Sequence, residues 1–140
     1  IRGKTNERTY AMNVAGIGID AVEICRFKTA IEEWGKNFLK KIFTERELEY
    51  AGTKKSYAMH MAGKFAAKEA VKKAIPNGAE IGLNWTQIEI LNGEDGKPYV
   101  CLHGRASDLI KKYNLSKIYV SISHTDKIAI SNAVGVKNGE

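Results

Sequence analysis

Apolar residues recur along this chain with two different periods, and the change from one to the other divides it. Phe27, Ile31, Trp34 and Phe38 fall three or four residues apart, the spacing of one helix face. They predict an amphipathic helix over residues 23–34, with Gly35 as an interruption. Thr44 and Glu47 stand at capping-box spacing and predict a short helix through Tyr50. After a polar connection at 52–55, an alanine-rich helix starts near Ser56 and ends before Pro76, where Pro76-Asn77-Gly78 supplies a stop.

Beyond that stop the period falls to two. Ile88 and Ile90 alternate within a strand over 85–91, a turn-rich stretch follows at 92–97, and 99–102 returns as the partner strand. A short helix over 105–113 comes next, then a hairpin of strands 117–123 and 128–136 around His124-Thr125-Asp126-Lys127. Near the start, the glycine-rich apolar run at 14–19 reads as a strand that delivers Asp20 at its end. Residues 1–11 have no periodicity and are expected to lie outside the fold, ahead of a domain over 12–140. No repeat or low-complexity tract interrupts this order, which supports a single compact α+β domain.

Composition narrows the picture. The chain has 140 residues, 44% of them hydrophobic, enough for one real core. It has no run of eighteen apolar residues to span a membrane and no basic-then-apolar leader pattern at its start, so a protein that is not secreted is expected. Cys25 and Cys101 lack zinc-site spacing and read as free thiols of a reducing, cytoplasmic compartment. The net charge is +6, of which Arg2, Lys4 and Arg8 against Glu7 place part in the first eleven residues. The lysines form no long block, and no nucleic-acid motif accompanies them.

The candidate chemistry lies in Gly63 to Lys73, GKFAAKEAVKK. Glu69 and Lys73 are i,i+4 neighbours, and Phe65 lies one turn earlier. Such a stripe either holds a cation and a phosphate together or is an exposed ion pair contributing ~0.2–0.5 kcal/mol. Lys68, on a different face, either contacts phosphate or sits in solvent. Asp20 adds a second acid: a carboxylate ending an apolar strand either faces solvent or is partnered by a cation. The Gly16-Ile17-Gly18 pair lacks the third glycine of a dinucleotide fingerprint.

Five strings in register, GIGIDAVEICRF, FTERELEY, GKFAAKEAVKKA, DGKPYVCLHGRA and YVSISHTDKIAIS, resemble the holo-acyl-carrier-protein synthases, the small type of 4′-phosphopantetheinyl transferase. The resemblance runs from about Val14 to Val136. It implies a long central helix packed on a small, mostly antiparallel sheet, and transfer of 4′-phosphopantetheine from coenzyme A to a serine of an acyl carrier protein. Asp20 and Glu69 match the family's metal positions, where two carboxylates plus diphosphate oxygens suit magnesium, and manganese takes the same ligands. Lys73 would direct its ammonium at the diphosphate.

By the same resemblance, Lys64, His124, Thr125 and Pro98 would contact coenzyme A. Lys64 stands where the family often has Arg, a swap that loses a bidentate fork. Where the family has a compact GTG-type turn, this chain reads Ile75 to Gly82, and Gly78 would offer phosphate a close approach unless Glu80 opposed it. Arg26 and Lys28 would dock the acidic carrier protein. A homotrimer with coenzyme A between subunits is implied. The base that takes the serine proton is either a metal-bound water or a carboxylate. The rivals are a non-catalytic coenzyme A or nucleotide-binding module and a basic nucleic-acid binder, the latter disfavoured by the paired acids and the lack of an aromatic platform.

Overall fold

The first strand, β1 (Asn13–Glu23), presents Gly16, Gly18, Asp20 and Val22 on its inner face and Ile17, Ile19 and Ala21 outward. The structure is a computed structural model that describes residues 13–52 and 56–138; the expected extension over 1–11, with Met12, lies outside the described residues. The strand does not end at Asp20, as expected, but continues to Glu23, pairing Asp20 with Ser131. Asp20 is therefore held on both sides by strand, half-buried, with its backbone fixed in a ladder.

Helix α1 (Ile24–Ile42) extends past its expected end. Gly35, at φ 67 and ψ −150, breaks it as expected, but the helix resumes. That left-handed break, which suits a residue without Cβ, swings Phe38, Leu39 and Ile42 back so that Phe38 meets Phe27, with ring centroids 5.9 Å apart. Helix α2 (Glu45–Gly52) opens on the expected capping box. The Thr44 N–H donates to Glu47 Oε1 at 2.8 Å and the Glu47 N–H to Thr44 Oγ1 at 3.3 Å.

Helix α3 (Tyr57–Ala74) is the centre of the molecule, packed against β1, the C-terminal hairpin, α1 and α2. Its buried positions are mostly small, with Ala62, Ala66, Ala67, Ala70 and Ala74 at the core. The reason lies in the strands. A Cβ placed on Gly16 would stand 2.2 Å from the Ala74 carbonyl oxygen, and one on Gly18 1.9 Å from that of Ala70. Backbone touches backbone, which explains the glycine pair without a nucleotide fingerprint.

A short helix α4 (Gly78–Ile81) follows the left-handed Asn77. The expected strand over 85–91 loses its first residues to a 3₁₀ turn, Trp85–Gln87, so β2 is only Ile88–Asn92. It pairs antiparallel with β3 (Pro98–Leu102). Helix α5 (Gly104–Lys112) leads to β4 (Leu115–His124) and β5 (Ile128–Lys137). In place of one sheet there are two, β1-β5-β4 and β2-β3, all neighbours antiparallel.

Two core clusters meet along α3, one against the sheets and α5, the other against α1 and α2. A buried ion pair spans them. Lys68 Nζ donates to Glu47 Oε1 at 2.8 Å, to the Trp85 carbonyl at 3.0 Å and to that of Ile88 at 2.6 Å. Glu47 Oε2 accepts from the Ile90 N–H at 2.7 Å. Both side chains are fully buried. Lys68 thus neither faces solvent nor is open to phosphate; all three of its protons are committed, as a buried ammonium requires. Nearby, Glu89 receives Arg46, Thr44 and His103, and these bonds outweigh burial to hold its carboxyl down at about 2.

Gly18→Ala should lower stability by about 2 kcal/mol or more, because the clash is with helix backbone and cannot be relieved by a rotamer change. Gly52→Ala, where an added Cβ would meet nothing within 4 Å among the described residues, should leave stability unchanged or raise it slightly. Urea denaturation of both variants measures the difference.

Candidate active site

The contact between β1 and α3 sets a register. Gly16 meets Ala74 and Gly18 meets Ala70, so two strand residues, ~6.6 Å, match four helix residues, ~6 Å. One further step along the strand brings Asp20 beside the helical turn that carries Glu69. Both carboxylates line one cleft of about 490 Å³, walled by Phe27, Phe65 and Trp85, with Arg26 at its rim.

Each acid is held by its own cation. Lys73 Nζ stands 3.5 Å from Asp20 Oδ1 and donates to the Ile19 carbonyl at 2.8 Å. Lys72 Nζ stands 3.5 Å from Glu69 Oε2 and 4.8 Å from the Trp85 ring centroid. The Trp85 indole N–H donates to the same Oε2 at 2.6 Å. Burial raises the Asp20 carboxyl above its ordinary value; Lys73 pulls it back and the charge of Glu69 pushes it up again. The two acids therefore repel within reach of each other, the condition that a bound cation would relieve.

Among the described residues no group of three or more His, Cys, Asp or Glu is arranged around a metal position. The donor set is two carboxylates. It fits magnesium, which keeps several waters and takes remaining oxygens from a phosphate substrate, and it does not fit zinc.

The other expected contacts are dispersed. Arg26 pairs with Glu23 at 3.2 Å, both exposed, and Lys28 lies in an adjoining groove with Ser56 and Tyr57. His124 ends β4 and Thr125 opens the β4–β5 turn, where its Oγ1 accepts the Lys127 and Ile128 N–H groups at 3.1 Å. That turn abuts the end of β1, since the Ile24 N–H donates to the Lys127 carbonyl at 2.9 Å. Pro98 opens β3. None of His124, Thr125 and Pro98 lines the cleft of the same chain.

Two of the expected contacts are engaged within this chain. The Lys64 ammonium is buried, donates to the Ile90 carbonyl at 2.8 Å and lies over the Tyr50 ring, so it faces the core of this chain. Burial brings its pKa down to about 8. The Gly78 N–H is already given to the Ile75 carbonyl at 2.8 Å. A Cβ there would stand 2.3 Å from the Lys72 carbonyl oxygen, so close packing requires glycine at 78. Conversely, Lys72 and Trp85 went unremarked in the sequence. The i,i+3 spacing of Lys72 from Glu69 was visible there; nothing local marked Trp85.

Comparison with known proteins places this arrangement. Residues 16–131 match the model of the 4′-phosphopantetheinyl transferase superfamily. A holo-[acyl-carrier-protein] synthase of Geotalea daltonii is 41% identical over 121 residues, covering 86% of this chain and 97% of that protein. The chain belongs to the holo-acyl-carrier-protein synthase family. The crystal structure of holo-ACP-synthase from Plasmodium yoelii superposes with a TM-score of 0.79 at 32% identity, over 91% of this chain and 98% of the other. A synthase from Bacillus anthracis, solved in complex with CoA (3′,5′-ADP), gives a TM-score of 0.72 at 30% identity, over 91% of this chain and all of that one.

The charges around Asp20 fix how its titration should respond to substitution. Removing the cation in Lys73→Ala should move the Asp20 carboxyl titration further up, and removing the neighbouring charge in Glu69→Gln should move it down. Carboxyl-carbon NMR titration of Asp20, without added metal, reads both shifts; equal titrations in the three proteins would contradict the arrangement.

Proposed function

We propose that this chain transfers 4′-phosphopantetheine from coenzyme A to a serine of apo acyl carrier protein, with magnesium, releasing adenosine 3′,5′-bisphosphate. The observation that carries this reading is the convergence of Asp20 and Glu69 on one cleft, with Lys73 beside them. The serine oxygen forms a new bond to phosphorus as the bond from that phosphorus to the nucleotide-side oxygen breaks. Magnesium, held by Asp20 and Glu69, would offset charge on the diphosphate and make its phosphorus more electrophilic.

The chain's own groups do the rest. Lys73 is half-exposed, so its ammonium is free to exchange the Ile19 carbonyl for a phosphate oxygen. The serine proton has the Asp20 and Glu69 carboxylates within the cleft as acceptors. Glu23 also lines it but is engaged by Arg26. Arg26 at the cleft's rim and Lys28 in the adjoining groove, both early on α1, offer positive charge to an acidic carrier protein.

The dispersal of His124, Thr125 and Pro98 supports a site completed by a second copy. The outer face of the three-stranded sheet supports it too. Ile17 is 71% exposed, Ile19 59% and Tyr119 52%, an apolar surface unusual for a face left to water. A homotrimer packed through this face, with coenzyme A lying between subunits, is the assembly proposed. No described helix is long and apolar enough to cross a membrane. The free thiols Cys25 and Cys101 suit a reducing cytoplasm.

Intact-mass analysis of an apo carrier protein incubated with coenzyme A and magnesium should show the gain of one phosphopantetheine, abolished by chelator. Asp20→Ala, Glu69→Gln and Lys73→Ala should each slow it by about 100-fold or more. Coenzyme A binding with no mass gain on any carrier would instead favour a binding module. Ile17→Lys combined with Tyr119→Lys should reduce the sedimenting species from three copies to one and abolish transfer; an active monomer would remove the shared-site proposal.

A further inference from the structure

We propose that Trp85 is a positioning residue for Glu69, fixing one carboxylate oxygen so that the other is presented to the cation. This rests on the reading of Asp20 and Glu69 as a cation-holding pair. An indole N–H can only donate, and here it donates to Glu69 Oε2 at 2.6 Å, a short, charge-assisted contact. Lys72 reaches the same oxygen from the face of the Trp85 ring. Both restraints fall on Oε2, which leaves Oε1 as the oxygen for a ligand.

The indole is itself anchored. Its ring meets Phe65 at a centroid distance of 5.8 Å. Its backbone carbonyl accepts from Lys68 at 3.0 Å, and Lys68 is locked to buried Glu47 at 2.8 Å. A chain of contacts therefore runs from the core pair, through the backbone of the 3₁₀ turn, to the indole and onto the carboxylate. Lys68 and Glu69 are consecutive in sequence, yet the first holds the main chain of Trp85 and the second receives its side chain. A glutamate on a helix would otherwise sample several rotamers, and ordering them would weaken cation binding. Outer partners of metal-holding side chains commonly contribute about 10- to 100-fold in affinity.

Phenylalanine at 85 retains the ring contacts but has no donor. Free Mn²⁺, followed by electron paramagnetic resonance with coenzyme A saturating, should show the Kd for Mn²⁺ rising about tenfold in Trp85→Phe with the thermal midpoint held near that of the parent. An unchanged Kd in Trp85→Phe, beside saturable binding by the parent, would overturn the assignment. Absence of saturable Mn²⁺ binding by the parent would instead overturn the cation reading of the two acids, and the assignment with it. A second measurement keeps Trp85 in place. The chain has two tryptophans, and Trp34 is exposed, so Trp34→Phe leaves Trp85 as the sole emitter. Its fluorescence should be quenched by Mn²⁺ in the presence of coenzyme A, and an emission indifferent to Mn²⁺ at concentrations that saturate the parent would refute the proximity the proposal requires.

Discussion

Backbone contact between β1 and α3 is the constraint on which the rest of the structure depends. Glycine at 16 and 18 lets the strand approach until it meets the carbonyls of Ala74 and Ala70, with no side chain between. The near equality of two strand rises and four helix rises then carries the match along both elements. Asp20 and Glu69 face one cleft because of that commensurability, although 49 positions separate them in the sequence. A bulkier pair at the glycines would move the strand outward and take Asp20 away from the helix.

The second constraint is electrostatic. A fully buried Lys68 and Glu47 are tolerable only because each finds several partners, and those partners are the backbone groups of the loop and strand that follow α3. The pair thereby joins α2, α3 and β2 at one point and fixes the turn that carries Trp85. In the cleft itself the balance is different. Burial and the charge of Glu69 raise the cost of ionising Asp20, and Lys73 offsets it from 3.5 Å, while Lys72 stands 3.5 Å from Glu69. These are loose, partly solvated ion pairs that a divalent cation and an anionic substrate can replace without unmaking the fold, whereas the core pair cannot be disturbed without exposing an uncompensated charge.

The strand alternation that turns Gly16, Gly18 and Asp20 inward also turns Ile17 and Ile19 outward, so one sequence pattern serves two surfaces. The inner face forms the cleft. The outer face, joined by Tyr119 and Ile130, is apolar and exposed, and His124, Thr125 and Pro98, none of which lines the cleft, lie on the β4–β5 hairpin and on β3. Packing between copies through this face, as proposed, would remove that apolar surface from water.

Much was legible in the sequence because it depends on local chemistry. The capping box at Thr44, the break at Gly35, the span of α3 and the final hairpin follow from short-range spacing and turn residues, and their prediction agrees with the structure apart from boundaries. Motif order pointed to the family and to Asp20, Glu69 and Lys73 as a set. Tertiary packing alone decided which lysines are free: Lys64, Lys68, Lys72 and Lys73 lie on one helix with similar local surroundings, yet two are buried against carbonyls and two reach the acids. It likewise decided that Gly78 packs, that Trp85 begins a 3₁₀ turn and not a strand, and that its indole reaches Glu69. Periodicity reports the face a residue occupies. What that face meets is set by the approach distance and register of elements remote in sequence, which no local pattern encodes.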